Sequence, residues 1–279
     1  MPNDFNQTVI DEFRANAGRV GGIFEGARLL LLTTTGARSG APRTTPVGYL
    51  PDGGERVLVI ASAGGAPRHP AWYHNLVADP RVTVESGVFT YEAEAVVLRG
   101  EERDRAFARA VESDPGWAEY QAKTTRVIPV VALREIPAGP PDIPAAKSVG
   151  DAVRLIHDGI RREFALVREE IAVSGPGGLA AQLRVNCLTV CQGLRHHHEG
   201  EDAMMFPMLG KRRPELAPVL DRLRDEHLAI AALTARLSTL VDDADADPRT
   251  ILPEVDRLLA ELESHLAYEE EQLIPLLDG

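Results

Sequence analysis

From Leu29 to about Ile136 the apolar residues fall into short or alternating runs: Leu29 to Thr34, Thr45 to Leu50, Arg56 to Ala61, Arg81 to Ser86, Phe89 to Val97 and Val127 to Leu133. Side chains on a strand alternate between faces, so runs of this length bounded by turn residues predict β-strands. Pro51 to Gly54 and the pair Ser86-Gly87 bring hairpin turn chemistry, and Glu101 to Glu112 has the spacing and charge of a helix. The expectation for this half is an antiparallel sheet, closed into a barrel, with a few helices.

The pattern changes after Pro137. Prolines at 137, 140, 141 and 144 exclude both a helix interior and a central strand, which marks a linker. Beyond it run four long amphipathic stretches, broken at Ser174 to Gly178, Gly210 to Pro214 and Asp242 to Pro248. The predicted chain is two-domain α+β: a split barrel over 1–137, a Pro-rich linker over 138–147 and an up-down four-helix bundle over 148–279.

Helices of a bundle repeat their core positions at intervals of three and four. The first stretch gives Val153, His157, Ile160, Phe164, Val167 and Ile171; the second gives Leu183, Cys187, Val190, Leu194, His197, Glu201, Met204 and Met208. The third gives Leu216, Leu220, Leu223, His227, Ile230 and Leu237, and the fourth Val255, Leu258, Leu262, His265, Glu269 and Leu276. Every seam carries a histidine, and two carry a carboxylate four residues later.

A single seam histidine is ordinarily a hydrogen-bonded core residue. Four together arise by chance on the order of once in a hundred, and two buried carboxylates are costly without cations. Depth agrees: His157 lies about fifteen residues before the first loop and His197 about nineteen after it, a mismatch of roughly one turn at about 1.5 Å per residue. His157, His197, Glu201, His227, His265 and Glu269 are therefore the expected ligands of a paired-metal site. Imidazole with carboxylate suits iron, with manganese or zinc as alternatives, over calcium or magnesium. Six such ligands leave positions open for a small molecule such as dioxygen, peroxide or nitric oxide. His196 and His198 fall off the seam and read as surface or supporting residues, unless the helix is locally irregular.

With these residues in view, His157, the run His197 to Asp202 followed by Met204 to Pro207, Glu226-His227, and His265 to Glu270 resemble the hemerythrin-like, or HHE cation-binding, family. The resemblance implies an up-down bundle around a non-haem di-iron centre. Oxygen-carrying members have a second histidine one turn from the third-helix ligand, where this chain has Leu223 and Ala231. That departure points away from oxygen transport and toward redox chemistry, sensing or a different metal.

Composition narrows the classes. A chain of 279 residues with 44% hydrophobic positions is long and apolar enough for two folded cores. A net charge of -12 argues against a general nucleic-acid surface or an anionic-membrane binder. The apolar runs are too short to span a bilayer and no signal-like leader opens the sequence, so the expected location is the cytoplasm. Cys187 and Cys191, four apart on a helical pattern, read as helix residues rather than a disulfide.

Two segments of the first half carry chemistry. Thr33 to Arg43 combines hydroxyls, glycines and two arginines after a strand, a combination suited to a phosphate. Ala61 to Asn75 leads from another strand into a helix and offers backbone amides and aromatic surface to a flat cofactor. Taken in order, Leu30 to Arg43, Ala61-Ser62 with Gly64-Gly65, Pro70 with Trp72-Tyr73 and Asn75, and Ile128 to Val131 resemble the deazaflavin-dependent nitroreductase family.

That resemblance implies a split β-barrel that uses coenzyme F420 to reduce nitroaromatics, quinones or related electrophiles, with a flavin as the alternative cofactor. By position, Arg38, Ser39 and Arg43 would hold the cofactor phosphate and tail, and Ser62, Gly64, Gly65 and Asn75 would line its site. Tyr120 would face the substrate as orienter or proton donor. The family's lysine between the serine and the glycines is Ala63 here, with Arg68 and Arg28 as replacement cations. A homodimer through the barrel also follows from the resemblance.

Three functions are then open. An F420-dependent oxidoreductase would pair the barrel with di-iron chemistry on a small oxidant or an organic electrophile. A nitro or quinone reductase would carry the bundle as an oxygen, redox or iron sensor. A barrel without its cofactor would leave a metal-binding protein.

Overall fold

A computed structural model describes residues 2–53, 56–137, 142–175 and 178–278. The chain separates into two compact units, Met1–Ala145 and Ala146–Gly279. Residues 138–141 of the expected linker, Gly54 of the first hairpin turn, and residues 176 and 177 of the first helical loop lie outside the described residues.

The first unit is a closed antiparallel barrel. Its strands are β1 (Leu29–Thr35), β2 (Pro42–Pro51), β3 (Arg56–Ile60), β4 (Arg81–Ser86), β5 (Phe89–Val97) and β6 (Val130–Glu135), in the order β1-β2-β3-β6-β5-β4 with β4 closing on β1. Leu32 pairs with Thr45 on one side and Val84 on the other. Leu30, Leu32, Val59, Val84, Ala93, Val131 and Leu133 fill the interior, as period-two alternation requires.

β1 is apolar on both faces because Leu29 and Leu31 lie under helix α1 (Pro2–Ala15), against Val9, Ile10 and Phe13. Helices α2 (Ala71–Ala78), α3 (Gly100–Ser113) and α4 (Gly116–Ala122) complete the unit. β6 begins three residues later than its apolar run. Pro129 has no N–H to give a ladder, although its carbonyl still accepts from Ala61 N at 2.9 Å.

The second unit is a bundle of α5 (Val149–Ala172), α6 (Ala181–Gly200), α8 (Ala217–Asp242) and α9 (Pro248–Leu277), with a short α7 (Phe206–Arg212) after α6. Side-chain caps start two of them: Ser148 Oγ accepts from Asp151 N and Asp247 from Arg249 N. The neighbours are α5 with α9, α9 with α8, α8 with α6, and α6 with α5, which closes the ring. Phe164, Ile171, Leu194, Ile230, Leu237 and Leu258 are among its buried core residues. Cys187 and Cys191 lie in that core outside any disulfide, and burial pushes the Cys191 thiol up to about 12.

One seam departs from its expected course. Glu201–Met205 is a π-helical turn, which inserts one residue into the helical repeat. The inward positions after Glu201 move on from 204 and 208 to 206 and 209, so Phe206 and Leu209 are buried while Met204 is 71% and Met208 39% exposed. In α9 the buried residues after Glu269 are Leu273 and Ile274, with Leu276 half-buried.

Candidate functional site

Within the bundle, His157, His197, Glu201 and Glu269 bring one side-chain donor each to within 4.8 Å of one another. His198, His227 and His265 form a second such group. All but His197, which is 11% exposed, are buried. Two carboxylates join the groups. Glu201 reaches His197 Nε2 with Oε1 at 3.1 Å and His227 Nε2 with Oε2 at 3.5 Å. Glu269 Oε2 lies 3.6 Å from His157 Nε2 and 3.8 Å from His265 Nε2.

His198 is the residue that the seam pattern misplaced. Neighbouring helix positions differ by about 100°, so His197 and His198 flank the bundle axis on either side and each joins a different group. The π turn directly beyond them is the local irregularity that a strict three-four count ignores. His196, by contrast, is exposed.

The outer nitrogens of two histidines are hydrogen-bonded to acids on neighbouring elements, and that of a third faces one at ion-pair distance without a hydrogen bond. His157 Nδ1 on α5 meets Glu270 Oε1 on α9 at 2.9 Å, and His265 Nδ1 on α9 meets Glu226 Oε2 on α8 at 3.0 Å. His227 Nδ1 lies 3.1 Å from Asp202 in the π turn. Arg161 holds Glu270 at 2.8 Å, and Arg222 holds Glu226 at 2.8 Å while lying over the Tyr268 ring. An imidazole whose Nδ1–H goes to a carboxylate keeps its proton there and turns a bare Nε2 lone pair inward.

The inward atoms lack partners. Nε2 of His198, His227 and His265 and both oxygens of Glu201 and Glu269 are buried without a hydrogen bond among the described residues. His157 and His197 point Nε2 at Nε2, 3.1 Å apart. Burial drives all five imidazoles below their usual range, His157 to about 3, and keeps them neutral. Burial also raises both carboxyls, Glu201 well above its usual value and Glu269 to about 7. Five neutral imidazoles and two buried carboxyls are what bound cations would relieve, so the residues fit metal binding.

In the barrel, a cleft of about 650 Å³ is lined by Arg38, Ser39, Arg43 and Asn75, together with Asn6 and Gln7 of α1 and Trp72 and His74 of α2. The loop after β1 is a tight turn: Gly40 N and Ser39 N both bond Gly36 O, and a Cβ on Gly36 would lie 2.6 Å from Ser39 Oγ. Asn75 fastens that turn from α2, accepting from Ala37 N at 3.1 Å and donating to Thr34 Oγ1 at 3.0 Å. The two α1 residues gave no signal in the sequence, because their place depends on how α1 packs over β1.

Ser62, Gly64, Gly65 and Tyr120 are not in the lining of that cleft. They meet at a separate turn after β3. Ala63, Gly64 and Gly65 have φ of 48, 63 and 82°, three left-handed residues in succession. Gly65 fits under α4, where a Cβ would stand 2.7 Å from Tyr120 O and 2.8 Å from Lys123 Cβ. The Lys123 ammonium lies 5.3 Å above the Tyr120 ring, which makes it one cation beside this turn, while Arg68 is exposed. Arg126, overlooked in the sequence, binds the turn from beneath: it donates to Ser62 O at 2.6 Å, Ala66 O at 2.9 Å and Ala61 O at 3.1 Å.

Comparison with known proteins matches both units. Residues 6–135 fit the family described as F420H(2)-dependent quinone reductase, and residues 149–277 the hemerythrin HHE cation binding domain. Over 125 residues the chain is 39% identical to an F420H(2)-dependent quinone reductase of Mycobacterium tuberculosis, an alignment covering 43% of this chain and 83% of that protein. The chain belongs to the F420H(2)-dependent quinone reductase family. A second M. tuberculosis protein, named as a putative F420H(2)-dependent quinone reductase, is 35% identical over 105 residues, 38% of this chain and 87% of that one. A solved structure titled as an F420-H2 dependent reductase is 42% identical and covers 38% of this chain and 94% of its own, with a TM-score of 0.36. Within this family the present chain carries a hemerythrin-like bundle as its second unit.

Proposed function

We propose that the chain is an F420H2-dependent oxidoreductase whose barrel reduces a quinone-type or related electrophile and whose bundle holds two metal ions, iron first. The reductase half is supported by the family match and by the cleft that gathers Arg38, Ser39 and Arg43, two cationic forks and a hydroxyl suited to a phosphate-bearing cofactor. F420H2 bound there would supply a hydride and a proton, the two-electron reduction that converts a quinone to its hydroquinone and leaves the oxidised cofactor. Tyr120, packed against Trp117 under the Ser62–Gly65 turn, is the candidate for orienting the substrate.

The observation that carries the metal half is the cluster of seven side chains, five of which, His198, His227, His265, Glu201 and Glu269, turn buried nitrogens or oxygens inward without a hydrogen-bond partner among the described residues. His157 and His197 would serve one ion, His198, His227 and His265 the other, and Glu201 and Glu269 would reach both. Bound there, an iron pair would supply a binding place and one-electron chemistry for dioxygen, peroxide or a nitrogen oxide. Glu270, Glu226 and Asp202 would hold the imidazoles in the tautomer that ligation needs.

Titration of the full chain with F420H2, together with metal analysis of the purified protein, tests the two halves separately. Saturable F420H2 binding with two equivalents of iron supports the whole reading, and absence of binding removes the reductase half. Oxidation of F420H2 by oxygen in wild type and His197→Ala then tests coupling: an unchanged rate would reduce the bundle to a fused sensing or metal-binding module.

A further inference from the structure

We propose that Arg126 is a positioning residue for the Ser62–Ala66 turn and that, through it, His69 is fixed as the Nε2–H tautomer, a single hydrogen-bond donor for a carbonyl oxygen of the bound cofactor or substrate. The proposal rests on the reading of the barrel as an F420H2-dependent reductase.

Its basis is a proton inventory. Arg126 Nη1 stands 3.0 Å from His69 Nδ1. A guanidinium has only donors, so this contact exists only if His69 Nδ1 is the acceptor. A neutral imidazole with a bare Nδ1 carries its proton on Nε2. Nε2 has no hydrogen-bond partner among the described residues, so its N–H is available on the side of the ring opposite Arg126. Burial, Arg126 and His74 all hold His69 below its usual range, so it stays neutral at neutral pH.

The same guanidinium closes the turn. Its three carbonyl partners are Ala61, Ser62 and Ala66, and between them lie the three left-handed residues. One of these is Ala63, whose Cβ disfavours that conformation. A backbone of this kind persists only where its surroundings over-determine it, and Arg126 supplies that from one rigid group. His69 is also packed on Tyr73, ring centroids 4.7 Å apart, and edge-on to His74, which lines the Arg38–Arg43 cleft. Ring, turn and cleft wall are thus joined at one point. The acceptor chemistry is a carbonyl oxygen, which both a deazaflavin ring and a quinone carry.

The experiment uses the full chain and needs no turnover for its first arm. Long-range ¹H–¹⁵N correlation on labelled wild type is expected to show His69 with protonated Nε2 and bare Nδ1; a protonated Nδ1 would overturn the proposal whatever the barrel binds. The second arm compares His69→Gln, whose amide offers an acceptor to Arg126 and a donor beyond it, with His69→Leu, which offers neither. His69→Leu is expected to weaken F420H2 binding or raise the quinone KM by about five- to tenfold, the loss of one hydrogen bond, and His69→Gln to stay within about twofold of wild type. The constant that moves identifies whether cofactor or quinone accepts the bond. Wild-type values for both constants in His69→Leu would overturn the donor role. If wild type binds no F420H2 at all, the functional reading fails instead, and the tautomer measurement still decides the Arg126–His69 pairing.

Discussion

The imidazole of His198 lies flat on that of His227, ring centroids 4.0 Å apart and planes 11° from parallel. Both rings are buried and neutral, and neither Nε2 has a hydrogen-bond partner among the described residues. Two stacked rings that aim lone pairs into one volume are compensated when a cation occupies it. His198→Ala removes one of three donors from its group, whereas His196→Ala changes an exposed side chain. Metal analysis is expected to find wild-type metal in His196→Ala and about half of it in His198→Ala. Equal contents in the two variants would make His198 a packing residue.

Protons compete with the fold at the same place. All five imidazoles are depressed in the folded, metal-free bundle, His157 to about 3, so the unfolded chain binds protons that the folded one refuses as pH drops below about 6.5. Each such group contributes stability that is present above its unfolded value and lost on acidification. Glu201 and Glu269 are raised, so their contribution has the opposite sign: it is fullest below about 4.5 and falls toward neutral pH. Five groups outweigh two. Chelator-stripped protein is therefore expected to lose stability steadily from pH 7 to pH 4 in urea titrations of the bundle; a rise over that range would mean that the carboxylate pair dominates.

What the sequence allowed to be read, and what it did not, follows from how local each signal is. The six strands and four long helices rest on periodicities of two and of three to four, which survive any tertiary arrangement. Met204 and Met208 were misplaced because a single π turn shifts every later residue, and nothing in residues 201–205 announces it. His198, four residues after Leu194 and three before Glu201, fits the three-four count as well as His197 does, and the count has room for only one of them. Arg126 and His69 sit 57 positions apart, and no spacing rule joins them. Glu270 and Glu226 were nearer to being legible, since each adjoins a seam residue, Glu269 or His227.

Gly64 and Gly65 are neighbours with different reasons to be glycine. Gly64 has a φ of 63° with open space where a Cβ would stand, while Gly65 has a φ of 82° and would press a Cβ to 2.7 Å from Tyr120 O. Gly64→Ala is expected to cost the barrel about 1 kcal/mol, the left-handed penalty alone. Gly65→Ala adds a backbone clash that α4 can relieve only by moving, for about 3 kcal/mol or more. Urea unfolding followed by barrel tryptophan fluorescence measures both, and similar losses would show that α4 yields freely.

Asn75 ties α2 to the loop that carries Arg38 and Ser39, through Ala37 N and Thr34 Oγ1. Thr34 is 1% exposed, so its bond is made where water cannot replace it. Asn75→Ala removes both bonds, and Thr34→Val removes the one they share together with the long Thr34 Oγ1–Arg43 O bond. The costs of the two single variants therefore overlap, and the double variant is expected to be about 1 kcal/mol more stable than their sum. Asn75→Ala should also weaken F420H2 binding beyond what Thr34→Val does, because it alone frees Ala37 and with it the loop. Strict additivity in urea unfolding, with equal F420H2 affinities, would show that the loop holds its shape without Asn75 and that its arginine and serine are placed by the Gly36–Gly40 turn itself.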